Sequence, residues 1–220
     1  MTSVPDEEFL LPIFPLPNLV FFPQTRFPLH VFEPRYRQLV ADAIEGDQSF
    51  GIVLLRPGFE REYFGAPPVY SCGTIARIVE TTPLDDGRFN LMVYGESRFR
   101  IIGEVTRDPY RTVRVLSQPQ IERNAAEAYA QRKSLSELSQ QYLRYLPEQG
   151  SVPEIELVGL EALTNALIMS LSLDLEEKQR LLEIDDLVAR AEDVGTELQN
   201  RIESLQFLAP FRQEGDPSRN

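Results

Sequence analysis

Val113-Arg114-Val115-Leu116-Ser117-Gln118-Pro119-Gln120-Ile121-Glu122-Arg123-Asn124-Ala125-Ala126-Glu127-Ala128 is where the chain changes character. Before Pro119, basic and apolar residues alternate, which is the period of a partly exposed strand. After it, Ala, Glu, Gln, Arg and Leu take over, and these residues favour helix. Working outward, residues 1–119 hold 13 of the 17 prolines and 8 of the 12 glycines. Proline lacks an amide hydrogen and glycine populates turns, so this half reads as β. Residues 120–220 contain few such breakers. The fold class is therefore α+β: a β-rich domain at 1–119, then a helical bundle at 120–220 that ends in a long helix.

Within the β half, the apolar runs at 9–14 and 25–31 each carry a proline, which predicts edge or bulged strands. Pro34 opens a helix at the position where its missing N–H costs nothing. Tyr36, Leu39, Val40 and Ala43 give that helix a buried stripe, and Gly46 is placed to end it in a left-handed conformation. Residues 50–55 read as a buried strand. Residues 69–81, 88–94 and 98–105 read as a meander turned by Asp85-Asp86-Gly87 and Gly95-Glu96-Ser97. Residues 111–116 supply the last strand. In the second half, helices are expected at 121–146 and 154–171. Another begins at Asp174-Leu175-Glu176-Glu177, a cap residue followed three positions later by an acid. The last, at 185–208, carries Leu187, Ala191, Val194, Leu198, Ile202 and Leu205 near the heptad period.

Charge narrows the function. The 22 Lys+Arg against 34 Asp+Glu leave a net charge of −12, most of it in the second half. Phosphate neutralisation drives nucleic-acid binding, so this balance opposes it. The one basic cluster, Arg98, Arg100, Arg107, Arg111 and Arg114 with Phe99 and Tyr110, reads as solvated strand faces and ion pairs to the acidic half. One cysteine makes no intramolecular disulfide, and His30 with Cys72 is too small a set for a zinc site. No cofactor or metal is expected. The N-terminus lacks a basic signal region, and the longest uncharged stretch of the helical half, 162–173, is too short to span a bilayer. A cytoplasmic protein without membrane contact is the expectation.

No catalytic centre is expected either. Neither Lys133 nor Lys178 follows a glycine, and Gly-x-Gly-x-x-Gly is absent, which leaves no phosphate cradle. Lys133 beside Glu137 and Lys178 beside Glu176-Glu177 read as charged and solvated, the opposite of a catalytic base. His30 reads as a packed or hydrogen-bonded structural residue, and Cys72 as a small core residue.

Leu11-Pro12-Ile13-Phe14-Pro15-Leu16-Pro17, Phe21-Phe22-Pro23, Pro28-Leu29-His30-Val31-Phe32 and Glu33-Pro34-Arg35-Tyr36-Arg37 resemble the N-terminal substrate-binding domain of Lon proteases. Gly73-Thr74-Ile75-Ala76-Arg77-Ile78, Gly95-Glu96-Ser97-Arg98-Phe99-Arg100-Ile101 and Asp174-Leu175-Glu176-Glu177-Lys178-Gln179 follow in that family's order. The resemblance spans residues 9–208. It implies a PUA-like pseudobarrel followed by a helical bundle, acting as a stand-alone domain without the ATPase and peptidase modules. A non-catalytic module binding unfolded or extended polypeptides is then the leading expectation, with a cellular protease as a partner. Phe21, Phe22 and Phe64, in loops, are its candidate peptide-binding residues. The alternatives are an assembly protein acting through the last helix, as monomer or weak homo-oligomer, and an RNA-binding relative of the PUA-like fold.

Overall fold

The computed structural model describes residues 8–62, 65–145 and 158–213. These residues form a mixed six-stranded sheet with five α-helices, an α+β fold. The strands are β1 (Glu8–Leu16), β2 (Arg26–Val31), β3 (Ser49–Leu54), β4 (Cys72–Pro83), β5 (Phe89–Thr106) and β6 (Thr112–Gln118). The helices are α1 (Pro34–Glu45), α2 (Ala125–Leu143), α3 (Leu160–Ser170), α4 (Leu175–Glu183) and α5 (Leu187–Gln213).

The sheet order is β2-β5-β4-β3-β1-β6, and β5 also pairs with β6. That extra ladder closes five strands into a barrel and leaves β2 as a flank on the first half of β5, an edge that tolerates Pro28. β1 was expected to be an edge or bulged strand and instead lies between β3 and β6. It uses β6 from Glu8 to Pro12 and β3 from Ile13 to Leu16, so each half carries a ladder on one side only. Pro12 and Pro15 are therefore tolerated as they would be at an edge.

A second difference concerns Gly95-Glu96-Ser97. It is no hairpin turn but the middle of one continuous strand of 18 residues. Gly95 is there because a Cβ would stand 2.3 Å from the Phe22 carbonyl oxygen. The Asp85-Asp86-Gly87 turn is as expected: Gly87 has φ 78°, and Leu84 N donates to Arg88 O at 2.9 Å. At the end of α1, Gly46 has φ −105°, and the left-handed residue is Gln48 at φ 56°.

The barrel encloses Leu11, Ile13, Val53, Phe99, Val113 and Val115. Gly51 and Gly73 face the Phe99 ring at distances that no side chain could occupy, so they make its seat. A larger cluster fills the space under α1, where Tyr36 packs on Phe14 with ring centroids 4.1 Å apart.

The chain forms two compact units. One runs to Ile121 and also takes in Ile168–Asp185, and the other comprises Glu122–Leu167 with the chain from Asp186 onward. Residues 168–185 were expected in a contiguous helical half and belong with the sheet instead. The reason is polar as well as apolar. Leu181 and Leu182 are buried, and the buried Gln179 donates its Nε2 to Cys72 O at 3.1 Å.

Arg98 completes the attachment. Only 1% exposed, its Nη1 donates to Leu182 O at 2.9 Å and Ile184 O at 3.0 Å. Its Nη2 reaches Pro119 O and Asp185 Oδ1, each at 3.1 Å.

In the second unit α2 begins at Asn124, whose side chain caps Ala126 N and Glu127 N. α2 packs along α5, with Gln131, Leu135 and Leu138 over Gly195. Of the near-heptad residues, Leu187, Ala191, Val194, Leu198 and Ile202 are buried and Leu205 is half-buried. No helix of the described residues is long and apolar enough to cross a membrane.

Candidate functional site

The β-rich unit has an apolar hollow of about 620 Å³ at the end of β3. That is within the range of small-molecule and side-chain pockets. Its floor is Leu54 and Leu55, with Pro17 beside them. Leu55 bridges Val69, Arg56 N donates to Pro68 O at 2.8 Å, and Tyr70 N donates to Leu54 O at 2.9 Å. These bonds tie the two ends of one loop together. Gly58, at φ 87°, then turns the chain into a short 3-10 segment that carries Phe59. Pro57, Phe59 and Tyr70 make one wall.

The other wall is Leu173, Asp174, Leu175 and Glu176, the entry to α4. Asp174 fixes it by accepting from Glu177 N at 2.7 Å, the cap that its spacing announces. Phe59, Tyr70, Leu173 and Leu175 are half-buried, so each offers a face of carbon to the hollow. Arg56 lies over the Tyr70 ring, 5.1 Å from its centroid, and donates its Nε to Val69 O at 3.0 Å. The arrangement can hold a bulky apolar side chain.

Phe21 and Phe22 do not take part. They are 1% and 0% exposed, so these two candidate peptide-binding residues are core side chains instead. The loop before β2 folds inward over Gly95: Gln24 N donates to Gly95 O at 2.7 Å, and Gly95 N to Thr25 O at 2.9 Å. Thr74 Oγ1 donates to Phe21 O and Thr25 Oγ1 to Phe22 O, at 2.6 and 2.7 Å. With their carbonyls so held, both rings enter the core. Phe64 lies outside the described residues.

The remaining candidates fall where their chemistry puts them. Cys72 is buried. His30 is exposed on β2, and its Nδ1 donates to Asn90 Oδ1 at 2.7 Å while Arg88 Nη1 lies 3.2 Å from Nε2. Lys178 is less solvated than its acidic neighbours suggest. Burial lowers its pKa, and its Nζ points to Met169 O, 3.5 Å away, rather than to a serine hydroxyl. The arginine cluster is largely spoken for. Arg98 is buried, Arg107 and Arg111 share Glu104, which their bonds and charges hold below the usual carboxylate range against its own burial, and Arg114 faces Glu8.

Phe59, Tyr70, Leu173 and Leu175 were not singled out from the sequence. One signal was present. Leu173 precedes the cap residue, where an apolar side chain normally packs on the fourth helical position, and here that position is Lys178. An apolar residue without its usual partner is free to line something else.

The family model described as the ATP-dependent protease La (LON) substrate-binding domain matches residues 10–200. The chain is 34% identical over 207 residues to Lon protease 2 of Myxococcus xanthus, and 31% identical over 207 residues to the Lon protease of Anaeromyxobacter dehalogenans. In both cases 91% of this chain aligns with 24% of the relative, so it spans about a quarter of those proteins. Among solved structures it is similar to the Lon N-terminal domain protein from Xanthomonas campestris, with 25% identity, TM-score 0.60, and coverage of 84% of this chain and 96% of that one. The N-terminal domain of Mycobacterium avium complex Lon protease shares the fold at TM-score 0.70 and 17% identity, covering 87% of this chain and 98% of that one.

Proposed function

Because the chain belongs to the LON substrate-binding domain family, we propose that it is a non-catalytic recognition module whose β-rich unit holds unfolded or extended polypeptide segments. The observation that carries this reading is the apolar hollow walled by Phe59 and Tyr70 on one side and Leu173 and Leu175 on the other. Burying one large apolar side chain there is worth about 2 kcal/mol. That anchor is only part of the roughly 6 kcal/mol that affinity of tens of micromolar requires, so main-chain and neighbouring contacts of the extended segment supply the rest and meet the cost of ordering it. Weak, sequence-tolerant binding suits a module that must accept many clients. A protease is the downstream partner this reading carries, since the curated relatives are Lon proteases.

The test is titration of a labelled unfolded polypeptide followed by fluorescence anisotropy. Saturable binding is expected, weakened roughly tenfold by Phe59→Ser and left unchanged by Tyr129→Ser, an exposed residue that does not line the hollow. No saturation at tens of micromolar would sink the proposal.

A further inference from the structure

The hollow is apolar inside but not neutral at its edge. Asp174 and Glu176 are its only charged lining residues, and both are exposed carboxylates. Neither enters an ion pair among the described residues. Glu177, the third acid of this turn, is already engaged by Arg180, with Arg180 Nε and Nη2 at 2.9 and 2.8 Å from its two oxygens.

Among the described side chains, two cations near the hollow are committed elsewhere. Arg56 is spread over the Tyr70 ring and bonded to Val69 O. Lys178 turns toward Met169 O. An apolar seat thus adjoins two carboxylates that have no ion-pair partner among the described residues, in a chain of net charge −12.

Resting on the recognition role proposed above, we infer that the hollow selects segments in which a bulky apolar side chain lies next to a lysine or arginine. The apolar group fills the space between Phe59 and Leu175, and the cation pairs at the rim with Glu176 and Asp174. Each exposed pair contributes up to about 1 kcal/mol, so a flanking cation should tighten binding roughly fivefold over a neutral residue. A flanking acid meets like charge and should weaken it by a similar factor.

The experiment uses the full chain and three short labelled peptides that differ only beside one phenylalanine: Lys, Ser or Glu. Anisotropy titrations at low salt should give affinities in the order Lys, Ser, Glu, with the spread shrinking at high salt. In the Asp174→Asn, Glu176→Gln double variant the three affinities should converge on that of the Ser peptide. Asparagine caps a helix about as well as aspartate, so α4 keeps its start, and far-UV circular dichroism checks this. Equal affinities for all three peptides in the unaltered chain would overturn the charge selection while leaving the recognition role intact. An order that persists in the double variant would also overturn it. No binding of any peptide would overturn both.

Discussion

Replacing Arg98 probes how residues 168–185 are fastened to the barrel. The side chain is 1% exposed and its guanidinium makes three bonds to carbonyls, of Leu182, Ile184 and Pro119, besides its pair with Asp185. The Asp185 side chain is 47% exposed, so solvent screens that pair to less than about 1 kcal/mol. The carbonyls matter more. Leu182 is buried, and losing the bond to its oxygen costs about 1–3 kcal/mol, while Pro119 is exposed and its carbonyl can turn to water for less. Removing one partner of a buried charged network costs about 3–5 kcal/mol in general. For Arg98→Ala the half-exposed partner places the expectation near the lower end, about 3 kcal/mol. Asp185→Asn should cost less than about 1 kcal/mol, because its pair is screened and the amide still accepts.

Urea unfolding followed by circular dichroism gives both values, and amide hydrogen exchange localises them. Ile121 N, which donates to Asp185 O at 3.0 Å, should lose protection in Arg98→Ala. A loss below about 1 kcal/mol in Arg98→Ala, or equal losses in the two variants, would refute the reasoning that the carbonyls carry the energy.

Other outcomes follow from the same contacts. Tyr110 donates its hydroxyl to Asp42 Oδ2 at 2.7 Å, and burial, reinforced by that carboxylate, pushes its pKa up to about 12. Because the folded value lies above the ordinary value of about 10, this stability is fully present below pH 10 and is lost as pH rises toward 12. Tyr110→Phe should therefore lower the unfolding free energy measured by urea at pH 7 by about 1 kcal/mol, and the gap should close at strongly alkaline pH. Gly95→Ala puts a Cβ 2.3 Å from the Phe22 carbonyl oxygen and should cost at least about 2 kcal/mol, read by thermal unfolding. Asp174→Ala should cost about 1 kcal/mol through loss of the α4 cap, with Asp174→Asn within a few tenths, in the same assay.

Much of the fold was legible because its signals are local. Pro34 and the stripe of Tyr36, Leu39, Val40 and Ala43 mark α1, and the Asp174–Glu177 spacing marks α4 to the residue. The glycine at 87 marks its hairpin because that turn needs a positive φ. What the pattern hid depends on partners far along the chain. Gly95 has a turn's composition, yet it serves a close approach to Phe22, which no window around it contains. Residues 168–185 read as one more part of a bundle, but their place is set by Cys72 and Arg98, about a hundred residues earlier.

The candidate site was less legible for the same reason. Phe21 and Phe22 sit in a loop, and loop residues are usually near the surface. Here Thr74 and Gly95 draw that loop's backbone inward, and the rings follow. The hollow's lining comes from four separate places in the chain, at Pro17, from Leu54 to Phe59, at Tyr70 and at Leu173–Glu176, so no contiguous motif announces it.

The central claim is that the space beside Phe59 and Tyr70 receives a segment of another polypeptide. Mapping amide chemical-shift changes during titration of the isotopically labelled chain with a phenylalanine-bearing unfolded peptide asks this directly. The expected changes cluster at Leu55, Phe59, Tyr70, Leu173, Leu175 and Glu176 and saturate together. Changes confined to α2 and α5, or to the β2 face around His30, would contradict the account.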